Sequence, residues 1–255
     1  MENQKSQSKD KIIVALDVET VEQAREIIKE LREEVGAFKI GLQLFTSAGA
    51  SFVRETVEND VKVFLDVKFH DIPNTAAKAS VEVARLGVWM FNLHTLGGGE
   101  MLLKTSESVR EVCDKENLAQ PKIIGVTILT SSNQKTLSEI GIGIDINTQV
   151  LDLARLSEKS HLDGVVASPL EVEAIRAGIN KKDFLIVTPG IRNAKSVDKN
   201  LKPETFDDQK RVMSAGEAIK IGANYLVIGR PILQADDKIE AVREILREVE
   251  SIKAR

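Results

Sequence analysis

The sequence predicts an α/β protein of the TIM (β/α)₈ barrel class. Three observations carry this expectation. Eight short apolar runs alternate with longer amphipathic stretches along 255 residues. Most of the apolar runs are continuous, as in parallel strands covered on both faces. A chain of this length with 42% hydrophobic residues can fill one large core. A doubly wound open sheet is the competing arrangement. Eight strand–helix pairs in a chain of this size favour the closed barrel.

In order, the strand runs are IIVAL (12–16), AFKIG (37–41), VFLDV (63–67), VWMFNL (88–93), KIIGVTI (122–128), LDGVVA (162–167), FLIVT (184–188) and YLVIG (225–229). Between them the spacing predicts helices over 20–34, 45–58, 73–86, 100–115, 149–159, 169–177 and 213–221, and a last one over 236–252. The first illustrates the pattern: Val21, Ala24, Ile27, Ile28, Leu31 and Val35 recur at helical spacing. Pro73 suits an early helical position, where its missing N–H costs nothing. Gly87 and Gly222 follow helical runs and suit their ends. Trp89 and Met90 lie within an apolar run and read as core.

Residues 1–10, MENQKSQSKD, read as a flexible N-terminal tail without the apolar segment of a secretory signal. Residues 11–255 then form a single barrel domain. Its widest irregular region, RNAKSVDKNLKPETFDDQKR at 192–211, is long enough to need a reason, and an active-site lid supplies one. A net charge of −4 gives no general attraction to nucleic acid or to an anionic membrane. No segment has the length and apolarity of a transmembrane span. Cys113 is the sole cysteine, so no internal disulfide framework is possible, and its helical context reads as structural. A cytoplasmic protein with a small-molecule ligand is the expectation.

Polar groups gather where the strands end. Asp17 follows the first strand and Lys39 lies in the second. The third leads through Asp66 to Lys68 and Asp71. The fourth reaches Asn92 and His94, the fifth Thr130 and Ser131, and the eighth Gly229 and Arg230. In a barrel these ends share one face, where substrate binds. Asp66 and Lys68 share a side if extended geometry persists, with Phe64 one layer deeper. Asp71 follows a turn and faces either its own pocket or a subunit interface. A semi-buried lysine needs compensating charge, and alternation of Lys39 and Lys68 with Asp17, Asp66 and Asp71 keeps both lysines cationic. Ordinary salt bridges around a barrel mouth are the competing reading.

A second group suits an anion. VTPGIR (187–192) places Pro189 and Arg192 in a turn near a strand end. In YLVIGRPI (225–232), Gly229 leaves backbone N–H groups accessible and Arg230 suits paired anionic oxygens. Gln209, in DDQKR, can reach a ligand from the long loop, while Lys210 and Arg211 read as solvating it. No dinucleotide fingerprint, Walker element or paired-cysteine metal site occurs. Lys68 between Asp66 and Asp71 argues against a magnesium site. His70, His94 and His161 form no zinc signature, and His94 reads as supporting.

Taken together, ALD (15–17), FKIG (38–41), LDVKFHDIPNT (65–75), LTS (129–131), TPGIR (188–192), DDQKRV (208–212) and IGRPI make the chain resemble the orotidine 5'-monophosphate decarboxylases over roughly residues 11–245. The resemblance implies a homodimeric barrel that converts this nucleotide to UMP and carbon dioxide without metal or organic cofactor. It implies that Lys68 protonates C6, that Asp66 lies beside the leaving carboxylate, and that Lys39 and Asp17 contact ribose within a charge network. Asp71, Ile72 and Thr75 would complete the neighbouring subunit's site. Thr130, Ser131 and Pro189 would meet the pyrimidine, Gln209 would bridge from the lid, and Arg192, Gly229 and Arg230 would hold phosphate. The stretch 193–206 is longer than the lid of many relatives, although DDQKR is intact. Sugar-phosphate lyases of the same barrel group share the DxKxxD arrangement but use magnesium. A phosphate-ligand-binding protein without turnover is the alternative of another kind.

Overall fold

The apolar runs pair side by side. In the computed structural model, which describes residues 8–192 and 213–253, eight parallel strands close into a barrel. They are β1 (Ile12–Ala15), β2 (Ala37–Gly41), β3 (Val63–Phe69), β4 (Met90–His94), β5 (Lys122–Val126), β6 (Gly164–Val166), β7 (Leu185–Thr188) and β8 (Tyr225–Ile228). Val14 pairs with Phe38 on one side of β1 and Ile13 with Val227 on the other, which closes the ring. A short parallel pair, Ile191–Arg192 with Met213–Ser214, follows β7. Of the expected lid, only Arg192 lies within the described residues.

The helices form where capping and periodicity place them. The first, α1 (Val21–Leu31), starts at Thr20, whose hydroxyl accepts from the Gln23 N–H while the Gln23 side chain accepts from the Thr20 N–H. The second, α2 (Leu42–Glu58), begins directly at the end of β2 and is broken at Gly49, where φ is +69°. Pro73 opens α3 (Pro73–Arg85), as its fixed φ favours. The stretch 169–177 is a 3₁₀ turn, Pro169–Glu171, followed by a helix over Val172–Gly178. The short helix Gln134–Glu139 was not expected; Asn133 caps it, and six residues are too few to show a periodicity. Gly87 and Gly222 do end helical runs, at φ +77° and +112°. No described helix is long and apolar enough to cross a membrane.

The parity of each strand sorts its side chains into two cores. Ile12, Val14, Phe38, Ile40, Val63, Leu65 and their like face the helices. Ile13, Ala15, Ala37, Phe64, Met90, Ile124, Val187 and Val227 fill the barrel interior, and Trp89 and Tyr225, edge to face with each other, pack partly buried against this cluster. Met90 and Trp89 are therefore core residues, as expected. The barrel also reaches further toward the N-terminus than its expected start at residue 11. Ser8, assigned to the tail, is fully buried, and its carbonyl accepts from the Lys11 N–H. The backbone of Asp10 passes so close to Gly36 that a Cβ there would stand 2.6 Å from the Asp10 Cα. Residues 1–7 lie outside the described part.

Candidate active site

Strand alternation builds one end of the barrel. Two residues beyond the interior layer, the same parity delivers Asp17 after Ala15, Lys39 after Ala37, Asp66 after Phe64 and Asn92 after Met90. These positions lie at the C-terminal ends of the strands, the face on which barrel enzymes bind substrate. A cavity of about 620 Å³ opens there. Asp17, Lys39, Asp66 and Lys68 line it, together with Thr130, Pro189, Arg192, Gly229 and Arg230. Phe64, Val126, Ile128, Val166 and Val227 supply apolar lining, so the cavity joins an ionic wall to a greasy one.

The ionic wall is a row of alternating charge. Lys39 Nζ lies 3.4 Å from Asp17 Oδ1 and 3.2 Å from Asp66 Oδ2. Lys68 Nζ lies 2.7 Å from Asp66 Oδ1. Burial pushes the Asp66 carboxyl up, but Lys39, Lys68 and hydrogen bonds from Lys68 and Asn92 outweigh it and hold it at about 2. Burial pulls the Lys39 ammonium down, yet Asp66 and Asp17 together leave it above its usual value. Asp66 is thus a carboxylate and Lys39 an ammonium across the whole physiological range. The Lys39 side chain is 11% exposed and that of Asp17 63%, so the row runs from interior to solvent. Gly41 leaves room for it: a Cβ there would sit 3.0 Å from Lys39 Nζ. Gly229 plays the matching part beside Asp17, where a Cβ would stand 3.2 Å from Asp17 Oδ2.

Extended geometry does not persist through Lys68. Its φ is +53°, and β3 slips register against β4 between Leu65 and Phe69. Asp66 and Lys68 still reach one cavity, but through a bulge and not through simple alternation.

The remaining expected residues divide. Asp71, Ile72 and Thr75 are exposed and do not line the cavity. Asp71 Oδ1 accepts from the Ile72 N–H at 2.6 Å, and Ile72 is 66% exposed, an apolar side chain in solvent at the start of α3. Ser131 also points to solvent, because a turn closed by the Ser132 N–H on the Leu129 carbonyl turns only Thr130 inward. Gln209 lies outside the described residues. His94 stacks on the exposed His70, with ring centroids 5.4 Å apart. Burial, then His70 and Lys68, lower its pKa, in keeping with a neutral packing role. The sequence marks Asn92 only as a polar group near the end of the fourth strand, with no partner, and Gly41 only as part of FKIG. The visible signal for Asn92 was a lone amide inside the apolar run VWMFNL; Gly41 carried none.

Fold and mouth together define a TIM-barrel enzyme in which a row of alternating charges and a glycine–arginine turn line one cavity. The sequence model of the Orotidine 5'-phosphate decarboxylase / HUMPS family matches residues 10–245, and the chain belongs to that family. It is 47% identical over 245 residues to the orotidine 5'-phosphate decarboxylase of Trichlorobacter lovleyi, covering 96% of this chain and 97% of that one. The protein of the same name from Geotalea uraniireducens is 47% identical over 250 residues, covering 97% and 98%. Among solved structures, that of orotidine 5'-phosphate decarboxylase from Lactobacillus acidophilus superposes with a TM-score of 0.79 at 33% identity, covering 93% of this chain and 98% of that one.

Proposed function

We propose that this protein decarboxylates orotidine 5'-monophosphate to UMP and carbon dioxide in pyrimidine synthesis. The observation that carries the reading is the row Asp17–Lys39–Asp66–Lys68 at the mouth of the cavity. Kinship with decarboxylases at 47% identity over nearly the full chain supports it.

The chemistry follows from the charges. The bond between C6 and the carboxylate breaks, carbon dioxide leaves, and the electron pair stays on C6. No covalent electron sink is required if a fixed cation faces that carbon. Lys68 serves as that cation, then transfers an ammonium proton to C6 and regains one from solvent. Asp66, ionised and held by two lysines, keeps Lys68 charged and stands beside the departing carboxylate. Lys39 and Asp17 hold the ribose. Gly229, Arg230 and Arg192 take the phosphate, and Thr130, Ser131 and Pro189 the pyrimidine. Gln209, from the expected lid at 192–211, meets phosphate and pyrimidine, so phosphate binding far from C6 helps align the reacting atoms. Asp71, Ile72 and Thr75, outward-facing in one chain, complete the site of a second subunit in a homodimer.

The test is direct. Metal-stripped protein is mixed with orotidine 5'-monophosphate, and loss of orotate absorbance is followed together with carbon dioxide release. Turnover without added metal is expected. Lys68→Ala is expected to lower kcat by about 10⁴-fold while UMP still binds. Absence of turnover by folded wild-type protein would overturn the assignment, and wild-type rates from Lys68→Ala would remove its role as proton donor.

A further inference from the structure

The strand that carries the reaction residues is irregular at that point. From Leu65 to Phe69, β3 advances four residues while β4 advances two, from Phe91 to Leu93. Lys68 lies inside this bulge at φ +53°, a conformation that the Cβ of an L-residue disfavours. Such a conformation persists only where its surroundings over-determine it.

One side chain meets that requirement. Asn92, opposite the bulge on β4, is fully buried. Its Oδ1 accepts from the backbone N–H of Lys68 at 2.8 Å, in the place of a ladder carbonyl. Its Nδ2 donates to Asp66 Oδ1 at 2.6 Å. That same carboxylate oxygen accepts from Lys68 Nζ at 2.7 Å. The two partners also settle which way the amide points, since only its oxygen can face an N–H and only its nitrogen can face a carboxylate. A buried amide is costly unless both ends are satisfied, and here both ends are satisfied by the reaction residues.

We infer that Asn92 is a positioning residue that fixes Lys68 in its left-handed conformation and aims the Asp66 oxygen that its ammonium grips. The kinetic part of this inference rests on the decarboxylase reading above. Asn92 does not line the cavity, so it acts through Lys68 and Asp66. No other residue type of this size offers an acceptor to one neighbour and a donor to the other without a charge. Aspartate would set a second carboxylate against Asp66, and leucine would offer nothing to either partner.

The inference separates positioning from mere filling of space. Asn92→Leu keeps the branched outline and the heavy-atom count and removes both hydrogen bonds, at the cost of some added bulk. Asn92→Ala removes them without bulk and serves if leucine disturbs folding. With orotidine 5'-monophosphate, kcat should fall about 100-fold in both variants, the usual cost of misplacing a reacting group by an ångström. KM and UMP affinity should stay within about threefold, because the phosphate and pyrimidine sides are untouched. Crystal structures of the variants should show Lys68 leaving the left-handed region or its ammonium leaving Asp66. This readout stands whether or not the wild-type protein turns over the nucleotide, so the two readings fail separately. Unchanged Lys68 geometry in the variants would overturn the inference. So would wild-type kcat, or UMP affinity falling in step with kcat, which is the mark of general disruption.

Discussion

Replacing Asp66 with asparagine tests the ionic wall at its centre. The carboxylate lies 3.2 Å from Lys39 Nζ and 2.7 Å from Lys68 Nζ, and its side chain is 14% exposed. Its pKa of about 2, against 3.8 for the free group, corresponds to about 2 kcal/mol of net preference for the charged form in the folded protein. Removing it also leaves Lys39, 11% exposed, with Asp17 as its remaining partner. Breaking a buried pair from one side costs about 3–5 kcal/mol, and the surviving Asp17 contact places this case at the low end, about 3 kcal/mol. Urea unfolding of Asp66→Asn and wild type at equal protein concentration reads the difference. The pH dependence gives a sharper check. Because the folded pKa is depressed, the Asp66 contribution is complete above about pH 5 and is lost as pH falls through 3.8 toward 2. By pH 3 the wild type should have lost about 1 kcal/mol of its advantage over Asp66→Asn. A stability difference under about 0.5 kcal/mol at neutral pH, or one that does not shrink in acid, would refute the account of Asp66 as a carboxylate held charged by its two lysines.

Three other outcomes are expected. Gly41→Ala, which brings a methyl group to 3.0 Å from Lys39 Nζ, should lower kcat/KM about tenfold with the fold intact; unchanged kinetics would show that the ammonium has slack. Phe64→Ala, at a barrel-interior position 1% exposed, should cost about 4 kcal/mol in urea unfolding, and a cost below about 1 kcal/mol would contradict its place in the interior core. If the proposed homodimer shares its sites, mixing Lys68→Ala subunits with Asp71→Ala subunits should restore activity, because one site of each mixed dimer would then hold both intact residues; assembled mixed dimers without turnover would exclude a shared site.

Much of the site was legible because its signals are local. Asp17, Lys39, Asp66 and Lys68 stand out as charges at the ends of apolar runs, and period-two alternation places the first three in one layer. Gly229–Arg230 reads as a turn after a strand for the same reason. Gly41 was not legible, because what it avoids is Lys39 Nζ folded back across the strand end. Asn92 was visible as an oddity and not as a contact. Its partners are 24 and 26 residues away in sequence, and its position opposite them depends on the register between β3 and β4.

The order of strands and helices, the two-faced burial of the strands and the charged character of the barrel mouth are already written in the primary structure. These follow from composition and periodicity, which each segment carries alone. The bulge of β3 at Lys68, the left-handed turn of the Lys68 backbone and the buried amide that ties it to Asp66 emerge only on folding. A bulge is a mismatch between two strands. Neither strand encodes it separately, so it exists only once β3 and β4 have paired.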